Sequence, residues 1–164
     1  ANECRALAVP FLFDPGKQTP RLEGEQILLG LRDAFVLVGN DYEFGMMAQK
    51  TGQQEQNLIS STPIVVITRG AEGSTIYDNR SGQMLHVPTA KVEHVVDPTG
   101  AGDAYLGGLV FGIQRGYALD VAGRVAALAA AYVIEQSGCQ EHYYTQEDFR
   151  MRYSENFGHE LELG

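Results

Sequence analysis

The chain has 164 residues, 44% of them hydrophobic and 20% charged, and a formal net charge of −9. That length and balance fit one globular domain able to hold a core without cross-links, and the acidity argues against nucleic acid, whose phosphates select basic surfaces. Two cysteines, Cys4 and Cys139, are too few for a disulfide framework and point to a reducing, cytoplasmic setting; the richest apolar run, Val125–Ile134 beside Arg124, is too short to span a membrane.

In chain order, Ala1–Leu7 reads as the end of a helix entering a strand, and an opening residue other than Met is expected of a piece of something longer. Val9–Phe13 is a short apolar strand stopped by Asp14-Pro15-Gly16. Gly24–Arg32 places Ile27, Leu28 and Leu31 at helical spacing. Ala34–Val38 is a second strand ending at Gly39-Asn40, followed by helices over Asp41–Thr51 and Gln53–Ser60. Ile64–Thr68 begins with consecutive β-branched aliphatics, the pattern of a strand buried on both faces. Arg69–Gly73 turns the chain into a hairpin, Ser74–Tyr77 with Met84–Val87, around Asn79-Arg80-Ser81-Gly82. Glu93–Val96 reads as a last short strand before Asp97-Pro98. Helices are expected over Asp103–Arg115, over Asp120–Ser137 with Gly138 as its stop, and from Gln146 toward Phe157, where Thr145 and Asp148 form an N-cap with an acid three residues on. This order predicts an α/β fold, a three-layer α-β-α arrangement on a mainly parallel sheet with a β-hairpin, in which residues 1–164 form one domain with no second.

The stretch Val96-Asp97-Pro98-Thr99-Gly100-Ala101-Gly102-Asp103 leads from that strand into a helix. Small residues at 100–102 let backbone N–H groups converge on one point, and the helix dipole adds positive potential there. Asp103 stands at the mouth of this anion pocket. A bare phosphate receptor excludes an acid at that place, whereas a phosphoryl-transfer site needs one to take the proton of the attacking hydroxyl. The competing reading makes Asp103 a helix N-cap and the glycines plain turn residues. No Walker P-loop is present, and Tyr105 occupies the third glycine position of G-x-G-x-x-G. His86, His94, His142 and His159 show no metal-ligand spacing. Gly107, Gly108 and Gly112 weaken a helix, so their expected use is close packing against the Ala126–Ala131 face of the next one. Cys139 reads as a packed small residue.

Asp97–Asp103 followed by Gly107-Gly108-Leu109-Val110 resembles the C-terminal signature of the PfkB (ribokinase-like) family of sugar and nucleoside kinases, and the element order agrees from about Val9 to Gly138. The resemblance implies that Asp103 is the catalytic base and that the N–H groups of Gly100, Ala101 and Gly102 form the anion hole for the γ-phosphate of ATP. Asn40-Asp41-Tyr42-Glu43 resembles the family's N-x-x-E motif, which implies that Asn40 and Glu43 organise Mg²⁺ through water; as residues they equally read as a capping box. Thr68–Gly73 resembles the strand-end turn beside ATP, with Thr68 and Gly70 touching the nucleotide and Gly73 turning the backbone; a simple β-turn is the local alternative. The family's turn usually carries an apolar residue where Arg69 stands. Asp97 and Thr99 match positions that bind a monovalent cation such as K⁺ in some relatives, while Asp97 also reads as a turn residue before proline. Gly138–His142, Glu147-Asp148-Phe149 and Arg152-Tyr153 resemble bacterial adenosine-kinase-type members.

Family members carry a further N-terminal half, with the lid and most acceptor-binding groups. The resemblance therefore implies the nucleotide-side part of an ATP-dependent kinase acting on a hydroxyl of a sugar or nucleoside, inactive as an isolated piece. The partners it implies are a small-molecule substrate, no nucleic acid and no membrane, plus a complementary N-terminal half or a second copy at an open sheet edge. The alternative is a non-catalytic nucleotide- or phosphate-binding module that keeps the fold.

Overall fold

The computed structural model describes residues 1–162. Its elements are α1 (Asn2–Ala6), β1 (Leu12–Phe13), a 3-10 turn over Gly16–Arg21, α2 (Gly24–Leu31), β2 (Val36–Asn40), α3 (Asp41–Thr51), α4 (Glu55–Ile59), β3 (Ile64–Thr68), a 3-10 turn over Gly70–Glu72, β4 (Ser74–Asp78), β5 (Gln83–Val87), α5 (Ala101–Gln114), α6 (Leu119–Ile134) and α7 (Gln146–Phe157). The sheet has five strands in the order β1-β2-β3-β4-β5. β1, β2 and β3 are parallel, and β4 returns antiparallel to β3. The chain forms two compact units, residues 1–69 with 74–85, and residues 70–73 with the chain from His86 on.

In the first unit, Leu37 of β2 lies opposite Val65 of β3, and both pack with Ile67 against Ile27, Leu31, Phe44, Met47 and Leu58 from α2, α3 and α4. The alternation of the pleat puts 65 and 67 on one face. Ile64 and Val66 are equally buried, as a both-faces-covered strand requires. The hairpin turn is fixed by side chains: Asn79 donates to the carbonyls of Ile59 (2.6 Å) and Thr62 (2.7 Å), and Arg80 closes on Asp78 (2.7 Å).

In the second unit, α5 and α6 approach so closely that glycine is needed at the crossing. A Cβ on Gly108 would fall 2.7 Å from the Cα of Ala126, and one on Gly112 would fall 2.7 Å from the Cα of Ala122. Close packing is thus the use of these two glycines; among the described residues Gly107 has nothing within 4 Å of a would-be Cβ. Below the helix pair, Val125, Leu128, Ala129 and Ala131 join Phe149, Tyr153 and Leu161 in a core.

Several expectations differ. Glu93–Val96 is not a strand: Val96 and Asp97 both donate to the Ile134 carbonyl at the end of α6 (2.8 and 3.2 Å), and Glu93 donates to the Glu135 side chain (3.1 Å). Backbone donors taken by a helix end cannot serve a sheet ladder. The first strand shrinks from Val9–Phe13 to Leu12–Phe13, and Gly16–Arg21 winds into a 3-10 turn around the Thr19 hydroxyl, which bonds the Gly16 carbonyl at 2.7 Å.

Arg152 of α7 ties the Lys91–Glu93 segment to α6. It makes two hydrogen bonds to the Glu135 carboxylate (2.6 and 2.8 Å), donates to the Lys91 carbonyl (2.9 Å) and lies 4.5 Å above the Tyr132 ring. Burial pushes the Glu135 carboxyl up, but the Arg152 donors and the Glu93 N–H outweigh it and hold it below the usual range. Its contribution is therefore complete above the ordinary glutamate range and is lost as pH falls through the lowered value. Side-chain exposures of 19% and 17% put the pair short of full burial. Arg152→Ala should accordingly destabilise the chain by roughly 2–3 kcal/mol, less than the ~3–5 for breaking a fully buried pair. Urea unfolding at pH 7 and at acid pH reads both effects: the gap between wild type and variant should narrow as Glu135 protonates.

Candidate active site

Each unit carries candidate residues where a strand or loop hands over to a helix. In the first unit, β2 ends at Asn40, which caps α3. Its Oδ1 accepts the Glu43 N–H (2.8 Å), and Glu43 Oε2 accepts the Asn40 N–H (2.8 Å). The capping box is therefore formed. Gly39 leaves room for it, since a Cβ there would sit 3.2 Å from Glu43 Oε2. The box leaves Glu43 Oε1 and the Asn40 amide nitrogen outside it. Asn40 pairs in register with Thr68, the last residue of β3, so Asn40, Glu43 and Thr68 gather at the carboxyl end of two parallel strands. That end is where open α/β sheets bind ligands.

Gly70 and Gly73 lie in the 3-10 turn that follows and at its exit. Gly70 is exposed, whereas Gly73 is buried with its Cα backed against the Val87 carbonyl.

In the second unit the loop into α5 is built on Asp97. Its Oδ1 accepts the Thr99 N–H (2.9 Å) and its Oδ2 accepts the Gly138 N–H (3.0 Å), which joins the loop to the turn after α6. The Thr99 amide and hydroxyl, and then the Gly138 amide, hold the Asp97 carboxyl below the usual aspartate range. Asp97 thus serves as a turn residue, with both oxygens engaged by amides. Gly100 caps α5 with φ +86°, a left-handed backbone in which a side chain is strained, and a Cβ there would fall 2.5 Å from the Cys139 Cβ. Cys139 is exposed as a residue, yet its Cβ is what fills this space.

Asp103 is the third residue of α5 and is exposed. It is not the N-cap, so that competing reading falls; an acid in the first turn still favours the helix through its dipole. The Ala101 N–H donates to the Pro98 carbonyl (3.2 Å), a departure from the expected trio of free amides, because a chain turning this tightly satisfies its own first donor. Among the described residues no protein acceptor takes the N–H groups of Gly100, Gly102 or Asp103, as is usual for the first turn of a helix.

A cavity of about 490 Å³ opens from this loop along α5 and α6. Gly100, Asp103, Gly107 and Phe111 line one side, Val125, Ala129 and Val133 another, and Cys139, His142, Tyr144 and Phe149 close it. Sequence reasoning dismissed His142 as a metal ligand and missed it as a wall residue. Its ring lies 6.0 Å from that of Tyr144, and its Nδ1 is buried without a hydrogen-bond partner. No spacing rule marks residues that reach a cavity from an irregular segment.

Among the described residues no group of three or more His, Cys, Asp or Glu is placed to hold a metal ion. One carboxylate oxygen of Glu43 beside the Asn40 carboxamide fits Mg²⁺ held through its water shell, the usual habit of that ion. Each oxygen of Asp97 accepts one amide, from Thr99 and from Gly138. Among the described residues no helix is long and apolar enough to cross a membrane.

Residues 1–146 match the model of the pfkB family carbohydrate kinases. A nucleoside kinase of Methanocaldococcus jannaschii is 31% identical over 78% of this chain and 42% of its own, and one of Methanothermobacter thermautotrophicus is 30% identical over 95% and 50%. The chain thus spans about half the length of the curated relatives it matches. The solved structure of Burkholderia thailandensis nucleoside kinase in complex with inosine is 36% identical, with a TM-score of 0.92 over 98% of this chain and 52% of that one; the same enzyme is also solved with ADP-inosine. The mixed sheet and its helices have the ribokinase-like α/β fold of these enzymes. With the family's Asp97–Asp103 loop in place at the head of α5, the chain belongs to the pfkB family of carbohydrate kinases.

Proposed function

We propose that this chain is the nucleotide-side part of an ATP-dependent kinase that transfers the γ-phosphate to a hydroxyl of a nucleoside, with a sugar such as ribose as the wider class. The observation that carries the reading is an exposed carboxylate, Asp103, in the first turn of a helix where the N–H groups of Gly100, Gly102 and Asp103 have no acceptor among the described residues. The nucleoside kinases among the relatives and solved structures favour a nucleoside acceptor.

In this reading Asp103 takes the proton of the attacking hydroxyl. The amides of Gly100 and Gly102 stabilise charge on the migrating phosphoryl group, joined by that of Ala101 once it leaves Pro98. Thr68, Gly70 and Gly73 border the nucleotide. Asn40 and Glu43 hold Mg²⁺ through water, and the ion supplies neutralisation of phosphate charge when bound. Asp97 and Thr99 offer backbone and side-chain oxygens to a monovalent cation such as K⁺. β1, at one end of the sheet order, offers its outer edge to a complementary N-terminal half or a second copy. Two free cysteines agree with a reducing cytoplasm.

Calorimetric titration of the chain with ATP and Mg²⁺, followed by assays of inosine, adenosine and ribose phosphorylation with and without the complementary half, tests the reading. Binding plus turnover on complementation is the expected result. Binding without turnover on any acceptor would make the chain a non-catalytic nucleotide module, and no binding would end both readings.

A further inference from the structure

We infer that Arg69 grips the polyphosphate of the bound nucleotide. The inference rests on the nucleotide reading above and deepens it. Arg69 directly follows Thr68, so it stands at the carboxyl end of β3, beside the strand end that carries Asn40. It is half-buried. Its Nη1 donates to Thr75 Oγ1 at 2.7 Å, and Thr75 is itself buried on β4, opposite Ile67.

Among the described residues no carboxylate pairs with this guanidinium. The contrast with Arg152 is direct: that guanidinium, also half-buried, has Glu135 across from it. Partly burying a cation is costly unless an anion or several acceptors compensate it. Here one hydroxyl holds one N–H of a group that carries five. The hydroxyl fixes the plane of the fork and leaves the other N–H groups to meet a planar or tetrahedral anion two at a time. An anion-seeking fork at the ligand-binding end of a parallel strand selects the charged part of a nucleotide and ignores its nucleoside.

That selectivity supplies the test. The chain is titrated by calorimetry with MgATP, MgADP and adenosine, as wild type and as Arg69→Met, Arg69→Lys and Thr75→Val. Losing charge-assisted hydrogen bonds should weaken ATP and ADP by about 10- to 100-fold in Arg69→Met and leave adenosine unchanged. Arg69→Lys should fall between, because it restores charge without the fork. Thr75→Val should weaken ATP by a smaller factor, since it frees the anchor and keeps the donors. Equal ATP binding by Arg69→Met and wild type would overturn the inference and leave the nucleotide site standing. Equal losses for adenosine and ATP would also overturn it, by assigning Arg69 to structure. A wild-type chain that binds neither would remove the site reading and the inference together.

Discussion

Asp103→Asn should lower the turnover of the complemented kinase by about 10²- to 10⁴-fold, the usual worth of a general base, with ATP affinity hardly changed. The substitution keeps the size of the side chain and its place at the third position of α5. It removes only the capacity to accept a proton. Because proton transfer belongs to the transition state, kcat and kcat/KM should fall together. The helix loses a favourable charge in its first turn, a matter of ~0.3–1 kcal/mol, so the variant folds and binds. Calorimetry and steady-state kinetics on the same preparation separate the effects. Turnover that survives at the wild-type level would strip Asp103 of the role of base, and the unpaired amides beside it would then mark a binding site alone.

Gly108→Ala and Gly107→Ala should move stability in opposite directions, although the two glycines are neighbours on one helix. At 108 the new methyl group meets the Ala126 Cα at 2.7 Å, with the Val125 carbonyl oxygen at 3.0 Å. These are backbone atoms that cannot rotate away, so α5 and α6 must separate. Overpacking of this kind costs about 1–3 kcal/mol, and it shifts the helix that carries Asp103, so nucleotide binding should weaken as well. At 107 nothing lies within 4 Å. There the helix recovers up to ~1 kcal/mol of propensity. Urea unfolding of the chain and the two variants measures both. A neutral Gly108→Ala would show that α5 and α6 do not meet as closely as described.

Both experiments concern a site whose outline can be read in the chain but whose working state cannot. The loop Asp97–Asp103 is legible because small residues before a helix, with an acid three positions past its left-handed cap, are a local pattern. Asn40 and Glu43 are legible for the same reason: a side chain and a backbone three residues apart close the capping box on their own. The elements with exact bounds, Asp41–Thr51, Ile64–Thr68 and Gln146–Phe157, are likewise those whose caps or uniform burial are written in adjacent residues.

Glu93–Val96 shows the opposite case. Its adjacent β-branched residues, Val95 and Val96, suit a strand, but the acceptor its backbone finds is the carbonyl of Ile134 at the end of α6, nearly forty residues on in the chain. Gly107 and Gly108 are identical letters, and only the path of α6 tells the packed one from the free one. Arg69 is a charged residue in a turn until Thr75 fixes its direction. The sequence by itself determined the family, the helix-forming loop and the placement of its acid, because these depend on residues within a turn or two of each other. Tertiary structure alone decided which donors are already taken, which glycines bear a neighbour and where the cavity runs, because each of those depends on atoms brought together from distant parts of the chain.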